Sequence, residues 1–84
     1  SSTKSMTGHL LGAAGAAEAI ISLGAIQRQA APPTINLENR DPEIPAGLNI
    51  VSGVAKAHPI RVVLSNTFGF GGHNSSVILK AYSA

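Results

Sequence analysis

The stretch Gly8-His9-Leu10-Leu11-Gly12-Ala13-Ala14-Gly15-Ala16-Ala17-Glu18-Ala19-Ile20-Ile21-Ser22-Leu23-Gly24-Ala25-Ile26 decides how this chain is built. It predicts one helix from Gly8 to Gln29, with Thr7 as its N-cap and Pro32-Pro33 terminating it. The Glu or Gln of a capping box is missing. Apolar residues surround this helix instead of forming a stripe, so a soluble protein has to bury it on all sides. Nothing else in 84 residues is large enough to cover it. Gly8, Gly12, Ala16, Ile20 and Gly24 recur every four residues, which predicts a flat stripe where another helix or a sheet approaches closely. The expectation is a central helix between two layers, at least one supplied by sequence outside these residues. A membrane span is the rival reading, since ~20 apolar residues cross a bilayer. Glu18 in the middle of the run argues against it, as do many Ala and Gly residues with little transfer energy.

Downstream, Pro32 to Pro45 reads as a Pro-, Asn- and Asp-rich connection, and Leu48 to Val54 as a short strand before a turn at Lys56-Ala57-His58-Pro59. Ile60 to Asn66 and Ser75 to Tyr82 read as two strands, separated by the glycine-rich segment Gly69-Phe70-Gly71-Gly72. Val62, Val63, Leu64, Val77, Ile78 and Leu79 put apolar side chains on both faces of the pair, as expected inside a layered fold.

Composition narrows the classes of function. Only 12% of the residues are charged, against about 25% in ordinary soluble chains, so little material is left for a wet surface. There is no cysteine, which removes disulfides, thiolate nucleophiles and Cys-type zinc sites together. The net charge of +2 comes from Lys4, Arg28, Arg40, Lys56, Arg61 and Lys80, spread along the chain. Nucleic-acid binding needs a basic patch, so no nucleic-acid partner is expected. The opening residues show no signal or transit peptide.

Two polar motifs carry chemistry. In Lys4-Ser5-Met6-Thr7-Gly8-His9, the histidine falls at the first turn of the predicted helix, where the macrodipole favours a neutral ring that donates one hydrogen bond. Such a donor suits a carbonyl oxygen or a developing enolate. Spacing alone equally admits a histidine that caps local backbone. Lys4 reads either as a solvated surface lysine or as an ammonium sharing the site with His9. Glu18, on a helix read as buried, has to be paired, protonated or bound to a cation. In Phe68-Gly69-Phe70-Gly71-Gly72-His73-Asn74 the glycines allow positive φ and bring N–H groups near a ligand, the makings of an anion hole or of a structural turn. A nucleotide-phosphate loop would lead into a helix, whereas a strand follows here.

Ser2-Thr3-Lys4-Ser5-Met6-Thr7-Gly8-His9-Leu10-Leu11-Gly12-Ala13-Ala14-Gly15, with Pro32-Pro33-Thr34-Ile35-Asn36-Leu37-Glu38-Asn39 and Ser65-Asn66-Thr67-Phe68-Gly69-Phe70-Gly71-Gly72 following in order, closely resembles the C-terminal end of β-ketoacyl-[acyl-carrier-protein] synthases. The resemblance covers nearly the whole chain and is weakest from Pro45 to Pro59. It implies an α/β fold, the C-terminal portion of a thiolase-like αβαβα layered fold, with a buried central helix followed by two antiparallel strands. Residues 1–84 would then be a fragment of the second half of that fold, not a complete domain.

The resemblance also implies a decarboxylating Claisen condensation, in which a cysteine holds the acyl chain and a carbanion from malonyl-acyl carrier protein attacks it. His9 matches the second of two assisting histidines, Lys4 the active-site lysine, and Phe70 the gating phenylalanine whose N–H helps form an oxyanion hole. Gly69, Gly71 and Gly72 would let that loop move. Glu18, Ser65 and Asn66 match positions that bind a structural monovalent cation in some members; no other cofactor is implied. Histidine at position 9, where initiating synthases usually carry Asn, implies an elongating type. The implied partners are an acyl carrier protein bearing acyl and malonyl groups, the rest of the synthase chain with the nucleophilic Cys and the other His, and a second copy in a homodimer. No membrane partner is implied, and the expected location is the cytoplasm, or a plastid or mitochondrion in a eukaryote. A polyketide ketosynthase, its non-catalytic chain-length factor and a stand-alone ligand-binding module remain as alternatives.

Overall fold

The alanine-rich run becomes a regular helix only from Ala14, six residues later than its composition predicts. In the computed structural model, which describes residues 1–83, the order is α1 (Lys4–Thr7), a 3-10 turn (Leu11–Ala13), α2 (Ala14–Arg28), β1 (Ala30–Ala31), β2 (Lys56–Ala57), β3 (Val62–Phe68) and β4 (Asn74–Lys80). Two backbone events split the predicted helix. Gly8 leaves the helical region with φ 76° at the end of α1, and Leu11 turns left-handed with φ 52°. Thr7 therefore closes α1 instead of capping α2, and its Oγ1 donates to the carbonyls of Thr3 and Gly8. Ala13 occupies the N-cap of α2 with no side-chain cap.

At the other end Gln29 adopts φ 52°, and its N–H returns to the Ala25 carbonyl, a left-handed C-cap. The Gln29 side chain then works as a clamp. Its amide nitrogen donates to the Ile60 carbonyl at 2.8 Å, and its oxygen accepts the Ile60 N–H at 2.8 Å. The end of α2 is thereby fastened to the start of the chain segment that becomes β3.

β3 and β4 form an antiparallel hairpin paired without a break from Val62↔Lys80 to Phe68↔Asn74. Alternation along β3 puts Val63 and Ser65 on the half-buried side, toward α2, and leaves Leu64 outward. Gly15 lies against Thr67, so close that a Cβ on Gly15 would stand 3.7 Å from Thr67 Oγ1. The side of α2 facing the sheet carries Ala14, Glu18 and Ala25, and not the Gly8, Gly12, Ala16, Ile20, Gly24 stripe: Ile20 is 70% exposed. Ala14 and Ala25 are the buried hydrophobic residues among those described. Within the described residues the helix is thus covered on one side only. No helix among them is long and apolar enough to cross a membrane.

The middle of the chain departs most from its sequence reading. Leu48 to Val54 forms no strand; its one bridge is parallel, Thr34↔Ser52. Lys56–Ala57, expected to turn, pairs antiparallel with Ala30–Ala31. Gly53, at φ 81°, bends the chain between the two pairings. The proline-rich connection is stapled by Arg40, whose guanidinium donates to the carbonyls of Pro45 and Leu48.

Candidate active site

Lys4 sits on α1 and Glu18 on the sheet-facing side of α2, 14 positions on, and their side chains meet: Lys4 Nζ donates to Glu18 Oε2 at 2.5 Å. The carboxylate is mostly shielded, with 16% of its side chain exposed against 34% for the lysine. Of the three states open to a carboxylate on this helix, the structure shows the paired one. Shielding matters here, because an ion pair removed from solvent is screened less by salt than a surface pair.

His9 lies outside any regular helix, five residues before Ala14, so the first-turn position expected for it is corrected. Its donor character has another origin. Nδ1 accepts the Leu11 N–H at 2.9 Å. A ring nitrogen that accepts carries no proton, so the ring's N–H is on Nε2. The same contact explains the left-handed Leu11, a conformation that costs a bulky residue roughly 1–2 kcal/mol.

The Gly69–His73 segment is the turn of the β3–β4 hairpin. Gly69 N–H donates to the His73 carbonyl at 2.8 Å, and Gly71 and Gly72 both take φ 82°. A Cβ on Gly69 would stand 3.0 Å from the His73 carbonyl oxygen, a tight contact that the turn would have to relax to accept. Phe70 stands at the tip, 99% exposed. Among the described residues no hydrogen bond joins this turn to Lys4 or His9.

Glu18, Ser65 and Asn66 border one cleft together with Lys4. Ser65 faces α2, whereas the side chain of Asn66, the next residue on the strand, has its Oδ1 accepting the Ser76 hydroxyl at 2.7 Å. No group of three or more His, Asp or Glu residues suited to a metal ion occurs among the described residues.

Ser5 and Thr34 were not singled out by sequence, yet they anchor the segment that carries Lys4. Thr34 Oγ1 accepts the Ser2 N–H at 2.7 Å, and Ser5 Oγ accepts the Ile35 N–H at 2.9 Å. Both contacts join residues about thirty positions apart, a separation with no periodic signature.

With this geometry in hand, comparison with known proteins is informative. Residues 1–38 match the family described as Beta-ketoacyl synthase, C-terminal domain. The chain is 55% identical over 82 residues to 3-oxoacyl-[acyl-carrier-protein] synthase 2 of Synechocystis sp., covering 98% of this chain and 19% of that protein. It is 52% identical over 81 residues to the chloroplastic 3-oxoacyl-[acyl-carrier-protein] synthase II of Arabidopsis thaliana, covering 96% of this chain and 15% of the relative. Among solved structures it is similar, with a TM-score of 0.87 and 34% identity, to the ketosynthase of a type II polyketide system solved in complex with its acyl-carrier protein. That match covers 96% of this chain and 19% of the other. The chain therefore spans between 15% and 19% of the length of these relatives.

Proposed function

The chain belongs to the β-ketoacyl synthase family, and from that premise we propose that it is the C-terminal part of a condensing enzyme that elongates fatty acids. In the proposed reaction a cysteine outside these residues takes the acyl chain from a carrier protein. Malonyl-acyl carrier protein then loses carbon dioxide, and the resulting enolate carbon attacks the acyl thioester. The cysteine leaves as thiolate, and the product stays on the carrier.

The observation that carries this reading is His9 Nδ1 accepting the Leu11 N–H. It leaves Nε2–H as a fixed donor for the malonyl thioester oxygen, on which negative charge grows as the carboxylate departs. Lys4, paired with Glu18, organises the charge around the two histidines of the site. Phe70 gates the acyl site, and its N–H completes an oxyanion hole with that of the cysteine. The Gly69, Gly71 and Gly72 hinges let the turn swing to that position, since it stands free in this structure.

Higher identity to fatty-acid synthases than to the polyketide ketosynthase supports elongation of fatty acids. The proposed partners are an acyl carrier protein, the remainder of the synthase and a second copy in a homodimer. The bacterial and chloroplastic relatives support a cytoplasmic or plastid location. Assay of the intact protein with an acyl-carrier thioester and malonyl-acyl carrier protein should yield a 3-oxoacyl thioester and carbon dioxide. Release of neither product, in a protein that retains its cysteine, would reject the proposal.

A monovalent cation at Glu18, Ser65 and Asn66, which border one cleft, is proposed on the family resemblance, with Glu18 engaged by Lys4 and Asn66 Oδ1 by Ser76 in this structure. Held there, it would tie α2 to β3 and supply charge without entering the reaction. Exchanging potassium and sodium for a bulky organic cation should lower the thermal midpoint of the intact enzyme by about 1 °C, what ~1 kcal/mol produces in a chain of the relatives' length. An unchanged midpoint argues against a cation at these residues.

A further inference from the structure

α1 is four residues long, too short to hold a helical conformation by itself. Its placement depends on what it is tied to. On one side Thr34 Oγ1 accepts the Ser2 N–H, and on the other Ser5 Oγ accepts the Ile35 N–H. Ser5 is used twice, because its hydroxyl also donates to the Ser2 carbonyl at 3.1 Å. Thr34 in turn is fixed by its backbone: its N–H donates to the Val51 carbonyl at 2.8 Å, and its own carbonyl accepts the Gly53 N–H at 3.1 Å. A continuous set of hydrogen bonds thus runs from the 51–53 segment, through Thr34 and Ile35, to the turn bearing Lys4.

Glu18 is carried by the 15-residue helix α2, whereas Lys4 reaches it on a flexible four-carbon stem. Any slackness in the pair therefore falls on the lysine side. We infer that Ser5 is a positioning residue for Lys4, its hydroxyl locking α1 onto the Thr34-Ile35 segment so that the ammonium meets Glu18. This rests on the condensing role proposed above. The hydroxyl matters because a methyl group there would leave the Ile35 N–H without its partner and free one end of the short helix.

The test measures carbon dioxide release from a malonyl thioester by the intact synthase, comparing Ser5→Ala, Ser5→Thr, Lys4→Ala and the double variant Lys4→Ala with Ser5→Ala. Ser5→Ala should lower kcat about fivefold, the effect of one net hydrogen bond, with KM unchanged. Ser5→Thr, which keeps the hydroxyl, should restore the rate. In the Lys4→Ala background the Ser5 substitution should change the rate by less than about 1.5-fold, the non-additivity of groups acting as a unit. An equal effect of Ser5→Ala in both backgrounds, or none in either, overturns the inference. Lys4→Ala working at the parent rate also overturns it, by removing the role of Lys4 on which it rests, while condensation by the parent would leave the wider reading standing. If Ser5→Ala does not fold, Thr34→Val, which removes the other acceptor, carries the same expectation and the same refutation.

Discussion

In the intact synthase, His9→Ala is expected to lower malonyl decarboxylation by about 10²–10³-fold, the cost of deleting a preorganised donor to a developing oxyanion. Transfer of the acyl chain onto the cysteine should be largely retained. The two half-reactions separate because they build negative charge on different oxygens. Acyl transfer places it on the acyl thioester, whose proposed donors are the N–H groups of Phe70 and the cysteine. Loss of carbon dioxide places it on the malonyl thioester, which is where Nε2–H is assigned. The Nδ1 contact to Leu11 makes His9 a donor before substrate arrives, so no reorganisation is needed at the moment of reaction. Carbon dioxide release at the parent rate by His9→Ala would remove this assignment.

Complete loss is expected when the 84 residues are prepared alone. They contain no cysteine, so no acyl-enzyme thioester can form. Among the described residues there is also no sizeable core: Ala14 and Ala25 are the hydrophobic residues that become buried, while Ile20, Leu64, Ile78 and Phe70 remain 70%, 57%, 69% and 99% exposed. Two methyl side chains cannot offset the ordering of a chain, at roughly 1.5 kcal/mol per residue. The purified peptide should therefore give a broad thermal profile by circular dichroism, without a cooperative transition, and no 3-oxoacyl product. A sharp sigmoidal melt, or turnover free of full-length enzyme, would refute this.

Much of the architecture could be read from residue type, and what could not was set by contacts between distant residues. The hairpin strands were legible because β-branched and aliphatic residues cluster at 62–64 and 77–79 around a glycine-rich turn. The body of α2 was legible for the same compositional reason. Its start was not, because Leu11 turns left-handed through a bond to the His9 ring, an event that helix propensity at Leu cannot register. β1 and β2 contain two residues each, too few for any periodicity. At the site, Lys4 and His9 stood out through their motif. The Lys4–Glu18 pair did not, since positions 14 apart on one continuous helix would lie about 21 Å from each other, and only the break between α1 and α2 brings them together. A donating His9 ring was argued in sequence from a macrodipole, yet in the fold the nitrogen that is left to donate is set by one local hydrogen bond.

The ion pair between Lys4 and Glu18 has a consequence for the substrate's own charge. A lone ammonium beside the site would attract the malonyl carboxylate and stabilise it in the ground state, deepening the well from which carbon dioxide must escape. In the proposed reaction an ammonium already engaged by Glu18 would offer that carboxylate no competing resting place. In that reaction, negative charge leaving the carboxylate would then be drawn toward the thioester oxygen and the imidazole donor, the pair steering electrons by withholding a cation as much as by supplying one.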